Sequence, residues 1–241
     1  MGKAQLPLSM ALAAALAILC LLSAEDAKTP RQPDALVPVP VENGGFEVWE
    51  PLDPRTAGMD GVKCLKLMPE SQRPKAWTPF TEDTRERHMT GTVAMDEGVR
   101  RSGQRSVRIE NGLMTDICGV SYSTEQFIGN PDDPRNIKPN RYYLLSWWVK
   151  GENVKAGTGP IMMMCQMGGK DDKLKRADSY EIGVPLPLGT FDWQRRQFTF
   201  ITGDDVRWAA FSFQLRWATG TIWYDDITLL DAGPVVKVET Y

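Results

Sequence analysis

Short runs of Val, Ile, Phe, Tyr and Trp, separated by Gly, Pro, Asn and Asp, recur along most of this chain. Such runs are typical of β-strands joined by turns. They lie at residues 106–110, 142–150, 161–167, 196–201, 209–217 and 221–230. No long segment places its apolar residues at helical spacing, which argues against an α/β fold. The pattern predicts an all-β protein, a two-sheet antiparallel β-sandwich of the jelly-roll type.

In the runs at 142–150 and 209–217, the alternation of side chains along the strand indicates which residues share a face, since successive side chains of a strand point to opposite sides. One parity is aromatic or aliphatic and is predicted to face the core: Tyr143, Leu145, Trp147, Val149, Ala209, Phe211, Phe213 and Leu215. The opposite parity mixes rings with hydroxyl, amide and cationic groups. Such a face suits sugar binding, because rings stack on sugar C–H groups and polar groups bond the hydroxyls. An ordinary solvent-facing surface would show the same mixture.

The N-terminus predicts export. Lys3 is the only charged residue before Glu25, and residues 10–22 form an apolar run. A basic start, a short apolar stretch and small residues at its end indicate a signal peptide at 1–24, cleaved after Ala24. The run is short for a membrane span, which needs about 20 apolar residues. We therefore expect a secreted, periplasmic or cell-surface protein with no membrane span after cleavage; an uncleaved anchor is the alternative.

The mature chain is predicted to hold one domain, at residues 41–231, between a flexible leader at 25–40 and a tail at 232–241. The leader is rich in Pro, Asp and Lys and has no apolar periodicity. The net charge is −3, and no basic patch interleaves with aromatic residues, so nucleic acid is not an expected partner. Three cysteines remain after removal of the signal. An odd number argues against a disulfide scaffold, so burial must hold the core together.

Five segments occur in an order that resembles a known family. They are 43–47 (NGGFE), 103–109 (GQRSVRI), 139–150 (PNRYYLLSWWVK), 191–200 (FDWQRRQFTF) and 220–229 (GTIWYDDITL). Together they are similar to the carbohydrate-binding modules of the cellulose-binding C type, families 4, 9 and 22, within the galactose-binding-like sandwiches. The resemblance implies a non-catalytic protein that holds an oligo- or polysaccharide on the concave sheet face or at the loop rim. It also makes a polysaccharide-degrading enzyme a candidate partner.

The predicted ligand-binding residues are Trp148, Ser146, Lys150, Gln214, Arg216, Trp77 and Trp208. Trp148 is the first candidate for a sugar platform, because it lies opposite the core parity. Gln214 and Arg216 would be its neighbours on condition that their strand lies on the same sheet. Trp77 and Trp208 are expected at loop edges. A cation–π pair is the alternative role for Trp148.

Asp225 is predicted to be buried, because it has the parity of Ile227 and Leu229. A buried carboxylate needs a cation or a set of N–H donors. The family resemblance implies a structural calcium at this place, with Glu47 of the first strand as the second carboxylate and Asp226 as a third. Calcium prefers such oxygen ligands. The alternative is an Asp225 satisfied by backbone groups or by an arginine.

Two other functions stay open on the sequence. One is a small jelly-roll glycoside hydrolase or polysaccharide lyase, and the other is a structural or adhesion sandwich that binds another protein. Hydrolysis of glycosides needs two carboxylates about 5–9.5 Å apart. No predicted strand carries acidic residues at alternating positions that would provide such a pair. Catalysis is therefore not expected.

Overall fold

The computed structural model describes residues 35–51, 72–83, 91–130, 132–169 and 182–235. The strands in these ranges are β1 Val37–Val39, β2 Trp49–Pro51, β3 Gln72–Pro74, β4 Thr78–Asp83, β5 Thr92–Asp96, β6 Ser106–Asn111, β7 Asp116–Ser123, β8 Arg141–Gly168, β9 Ile182–Pro185, β10 Gly189–Ile201 and β11 Trp208–Pro234. In the described part of the chain, a 3-10 turn spans Glu125–Phe127. Within the same ranges, no helix has the length and apolarity that a membrane crossing requires. The predicted all-β fold is confirmed.

β8 and β11 are longer than the sequence pattern predicted, because each joins two predicted runs into one strand. The stretches between those runs bend the strands instead of ending them. Asn153 and Gly159 in β8, and Trp217 and Gly220 in β11, have positive φ. The register between β8 and β11 shifts at several points. Such irregularities increase the local twist of a strand and re-aim it without terminating the pairing.

Hydrogen bonds link nine strands into one antiparallel sheet, and β2 pairs with β3 separately. The bends in β8 and β11 fold the large sheet into two facing layers. Layer A contains, in order, β4, β7, residues 208–217 of β11, residues 161–168 of β8, and β9. Layer B contains β5, β6, residues 220–234 of β11, residues 141–154 of β8, and β10, with β1 beside the end of β11. This arrangement is the predicted sandwich.

The core between the layers is rich in aromatic rings. Trp147 of layer B meets Phe213 of layer A edge to face, with ring centroids 5.4 Å apart. Phe200 of layer B contacts Phe211 of layer A at 5.7 Å. All residues of the two predicted core parities are buried. Aromatic pairs of this kind contribute about 0.5–1.5 kcal/mol each beyond the burial of their area, so these contacts hold the layers together.

The sandwich begins earlier and ends later than residues 41–231. β1 lies inside the segment predicted as a leader and pairs with the end of β11. β11 in turn continues past Asp231 to Pro234. A strand of only three residues is too short to show an apolar periodicity, which explains the missed boundary. The predicted signal peptide and most of the predicted leader lie outside the described residues.

The segment 43–47 was expected to open the first strand, but it forms a turn followed by irregular chain. The Ile227 N–H donates to the Gly44 carbonyl oxygen at 2.9 Å. A Cβ atom at position 44 would collide with the Ile227 carbonyl oxygen, so this close approach of two backbones requires glycine. Phe46 is fully buried and anchors the turn to the core. Glu47 therefore lies on a loop.

Candidate functional site

Two adjoining depressions lie on the outer face of layer A, which is turned away from the core. The first has a volume of about 190 Å³ and is lined by Phe80, Ile117, Ser121, Met164, Gln166, Ser212 and Gln214. The second has a volume of about 660 Å³ and is lined by Arg73, Ala76, Thr78, Ser121, Ser123, Glu125 and Gln126. Ser121 lines both. The depressions therefore adjoin at Ser121, and we call the two together the layer A groove.

Small side chains of β7 make room for this groove. Gly119 lies opposite Gln214, and Ser121 lies opposite Ser212, in the pairing of β7 with β11. The two serine Oγ atoms are 3.3 Å apart. A Cβ atom at Gly119 would lie 2.8 Å from the Gln214 Cβ, which is closer than two carbon atoms can approach. Glycine at this position thus leaves the space that the Gln214 side chain occupies.

Gln214 lines the first depression and is only 1% exposed. Its Nε2 atom is buried and has no hydrogen-bond acceptor among the described residues. Leaving such a group without an acceptor costs about 1–3 kcal/mol, and native proteins satisfy most buried polar groups. Nε2 is therefore available to donate to an oxygen atom of a bound molecule.

Arg216 follows two positions after Gln214 on the same face of β11, opposite Ile117 of β7. Its Nη1 contacts the Met164 Sδ atom at 2.9 Å. Trp208 lies at the start of β11, opposite Gly168, and shares the outward parity of Gln214. It lines neither depression. Three predicted ligand residues thus lie on the outer face of layer A, and Gln214 is the one within the groove lining.

Trp148, Ser146 and Lys150 lie instead on the outer face of layer B, on the opposite side of the sandwich. Trp148 pairs with Arg195 of β10 on one side and with Asp225 of β11 on the other. Gln214 and Arg216 are therefore not neighbours of Trp148, and the condition set for that arrangement is not met. The bends in β8 and β11 place the strand segments that carry the two groups in different layers, so the groups cannot contact the same ligand.

Each side chain of this second group already has a partner. The Ser146 and Thr228 hydroxyl oxygens are 2.8 Å apart, and Lys150 Nζ lies 2.9 Å from an Asp192 carboxylate oxygen. The Arg101 guanidinium lies over the Trp148 ring, 4.2 Å from its centroid. That contact is the cation–π pair weighed as the alternative role of Trp148.

Trp77 belongs to the core, which corrects its expected position at a loop edge. The side chain is 0% exposed. Its ring lies 5.0 Å from the Phe46 ring and 5.2 Å from the Tyr122 ring, and its Nε1 donates to the Glu42 carbonyl oxygen at 3.1 Å. A ring enclosed in this way has no free face for a sugar.

Asp225 is 0% exposed, as predicted, but it does not face the core. It lies opposite Trp148, on the outer face of layer B. Asp225 and Ile227 face opposite sides of the sheet because the register shifts after Asp225 and Asp226 has a φ of 50°; this irregularity returns Ile227 to the core. The loop before β6 covers Asp225, and the Arg101 and Ser102 N–H groups donate to its Oδ2 at 2.8 and 3.2 Å.

Burial raises the pKa of Asp225 to about 6, against the backbone hydrogen bonds that lower it. The neighbouring carboxylates are also hydrogen-bonded. Ser102 Oγ donates to Asp226 Oδ1 at 2.6 Å, and the Gln104 N–H donates to Glu47 Oε1 at 3.0 Å. The loop before β6 is therefore held by hydrogen bonds to all three acidic side chains.

Side chains of all three residues proposed for calcium approach Gly45, two of them through a carboxylate oxygen. A Cβ atom there would lie 3.9 Å from Asp225 Oδ1, Asp226 Oδ1 and Glu47 Cγ. Their chemistry suits calcium, but their arrangement does not. No three acidic, His or Cys side chains among the described residues are placed to hold a metal ion, and the carboxylate oxygens accept protein hydrogen bonds. Calcium stays a prediction that this geometry does not support.

Several carbohydrate-binding modules are among the solved structures similar to this chain, although neither a protein-family model nor a curated protein matches its sequence. A structure described as CBM4 is 17% identical with a TM-score of 0.47, and the match covers 80% of this chain and 99% of that one. A CBM22-1 xylan-binding domain from Paenibacillus barcinonensis Xyn10C is 13% identical with a TM-score of 0.41, covering 65% and 86%.

A viral protein is also similar. The enzymatically active domain of tailspike protein 4 of bacteriophage CBA120 is 16% identical with a TM-score of 0.44. The match covers 64% of this chain, and the chain spans 19% of the length of that protein.

Sequence reasoning missed most of the groove lining, including Phe80, Ser121 and Met164. A signal for β7 was present in the sequence, since the apolar residues Cys118, Val120 and Tyr122 alternate with positions 117, 119, 121 and 123, three of which are Gly or Ser. Phe80 belongs to a charged segment without clear periodicity. The neighbours of β11 are determined by pairing between segments that are far apart in the chain. The residue pattern within one strand does not specify which strands pair with it.

Proposed function

We propose that this protein binds an oligo- or polysaccharide in the layer A groove and does not cleave it. The observation that carries the proposal is the buried Gln214 amide, whose Nε2 has no acceptor among the described residues and which lines the first depression. A sugar oxygen would supply that acceptor. The half-buried Phe80 ring lines the same depression and offers an apolar surface for sugar C–H groups.

The shape of the groove supports an extended ligand. Its two depressions share Ser121 and together run from Ile117 to the 3-10 turn at Glu125–Phe127. Hydroxyl and amide groups of Ser, Thr and Gln dominate its lining. Several placed polar groups beside apolar surface are typical of small-molecule and saccharide sites.

Binding without hydrolysis is the better interpretation of these side chains. Among the described residues that line the two depressions, Glu125 is the one that carries a carboxylate. Glycoside hydrolysis requires two carboxyl groups across the scissile bond. The proposal includes export through the predicted signal peptide, so that the glycan is extracellular, and cooperation with a polysaccharide-degrading enzyme that acts on the same glycan.

The test is a glycan array combined with pull-down on insoluble polysaccharides. We expect selective retention on one glycan class, and its loss in Phe80→Ala. The matched control is Ile201→Ala, which truncates an exposed apolar side chain of β10 in layer B and should leave retention unchanged. A folded protein that is retained on no glycan would refute the proposal and favour the protein-binding alternative. Release of shortened sugars would favour the hydrolase or lyase.

A further inference from the structure

Arg216 is a cation beside the groove that no described carboxylate neutralises. Its Nε atom is buried and has no acceptor among the described residues. Among the described residues, its Nη1 contacts the thioether of Met164, and a thioether sulfur is a weak acceptor. The guanidinium lies over the Trp217 ring, 4.2 Å from the centroid. Such stacking orients a guanidinium without removing its charge or its capacity to donate.

Other arginines near the groove and on the loops differ from Arg216. Arg73, which lines the second depression, is paired with Glu50 at 2.8 Å. Arg135 is paired with Asp133 at 2.7 Å, and Arg105 with Glu97 at 3.2 Å. Their charges are balanced within the protein. Of these four arginines, Arg216 is thus the one without a carboxylate partner among the described residues, which leaves its charge for a ligand.

Arg216 lies next to Gln214 on the outer face of β11. The two residues lie two apart on one strand face, so their Cα atoms are roughly 7 Å from each other. Both present N–H groups that lack an acceptor in the described part of the chain. The apolar side chains of Ile117 and Met164 lie beside them. Low local polarity strengthens a charged hydrogen bond.

We infer that the layer A groove takes an acidic glycan, with a uronate carboxylate held by Arg216 and Gln214. The inference rests on the proposed function and names its substrate class. A carboxylate offers acceptors only, and its two oxygens match the planar fork of a guanidinium. A sugar hydroxyl brings a proton that itself needs an acceptor. Two adjacent groups with unsatisfied N–H donors therefore suit the carboxylate better.

The experiment compares polygalacturonate with the same polymer after chemical reduction of its carboxyl groups, by calorimetry at low and high salt. We expect the wild-type protein to bind the acidic polymer at least tenfold more tightly, with a difference that shrinks as salt screens the charge. Arg216→Gln should abolish the preference. Arg216→Lys should retain part of it, because the charge persists while the planar fork is lost.

The matched control is Arg195→Gln, which removes an exposed charge from the outer face of layer B and should leave the preference intact. Equal binding of both polymers would overturn the substrate class and leave glycan binding standing. If the protein binds neither polymer and no glycan on the array, the proposed function is overturned as well. Equally tight binding of dextran sulfate, or an equal loss in Arg195→Gln, would show unspecific charge attraction and also overturn the inference. Should Arg216→Gln not fold, the wild-type comparison of the two polymers decides.

Discussion

Gly119 lies directly opposite Gln214 in the β7–β11 pairing, and no side chain larger than hydrogen fits between them. A methyl group at position 119 would meet both the Gln214 Cβ and the Phe213 carbonyl oxygen. We expect Gly119→Ala to destabilise the fold by about 1–3 kcal/mol through overpacking and to weaken glycan retention. Denaturant unfolding measures the first effect and pull-down the second. Gly129→Ala is the control, because a Cβ there meets nothing within 4 Å; an equal loss in both variants would contradict the argument.

Gln214→Met should separate stability from binding. Methionine fills a similar volume without a buried N–H group, so the free energy of unfolding should stay the same or rise by up to about 1–2 kcal/mol. Glycan retention should be lost. The control is Gln197→Met, at an exposed position of β10, which should change neither the free energy of unfolding nor glycan retention. A destabilised Gln214→Met that still binds glycan would show that Gln214 has a structural role.

Trp148→Ala distinguishes the two faces of the sandwich. Because Trp148 lies on the outer face of layer B, its removal should leave glycan retention unchanged. Stability should decrease modestly, since the stacked Arg101 contributes about 0.5–1 kcal/mol at an exposed site. Retention assays and thermal melts of the same preparation give both results. Lost retention in a folded variant would move the binding site to layer B.

In calcium-free protein, Asp225 should make stability depend on pH. Its folded-state pKa is about 6, and its ordinary value is 3.8. Between these values the folded protein keeps a proton that the unfolded chain has released. The contribution of Asp225 to stability is therefore fully present below pH 4 and is lost as the pH rises through about 6, by about 3 kcal/mol at 1.4 kcal/mol per pKa unit. Unfolding at several pH values after chelator treatment measures the slope. Asp225→Asn should remove it; an unchanged slope would assign it to another group.

Calcium is tested by the melting temperature. An ion that binds only the folded state raises it by mass action. If Glu47, Asp225 and Asp226 hold calcium, its addition should raise the melting temperature at pH 7 and have little effect near pH 4, where protonated Asp225 no longer attracts the ion. Asp225→Asn should abolish the effect. A melt that is unchanged by both chelator and added calcium would exclude the site.

The alternation of apolar and polar residues correctly predicted which faces of β8 and β11 pack in the core. The alternation around Trp147 and Phe213 is visible in the sequence because burial on one side imposes a period of two. The same pattern was misleading at Asp225, since a bulge at Asp226 reverses the parity without any mark that distinguishes it from regular strand. Trp77 joins the core through contacts with distant Phe46 and Tyr122, and a single sequence does not reveal such contacts.

Local pattern also identified part of the candidate site, but not the relation between the two surfaces. Gln214 and Arg216 were identified from their parity, which is a local property. Their assignment to the same surface as Trp148 required knowledge of where β8 and β11 bend. Glycine-containing stretches indicate a change of direction, and they do not tell whether the strand ends there or continues into another layer.

The continuity of β8 and β11 through both layers has a consequence for how the molecule folds. Arg141 pairs with Pro234 at one end of these two strands, and Gly168 pairs with Trp208 at the other. Segments far apart in the chain must therefore meet before either layer has its central strands, which predicts slow folding of high contact order. Because layer A and layer B share β8 and β11, neither layer has central strands of its own and neither can fold independently. The groove on one side and the loop over Asp225 on the other thus belong to a single cooperative folding unit.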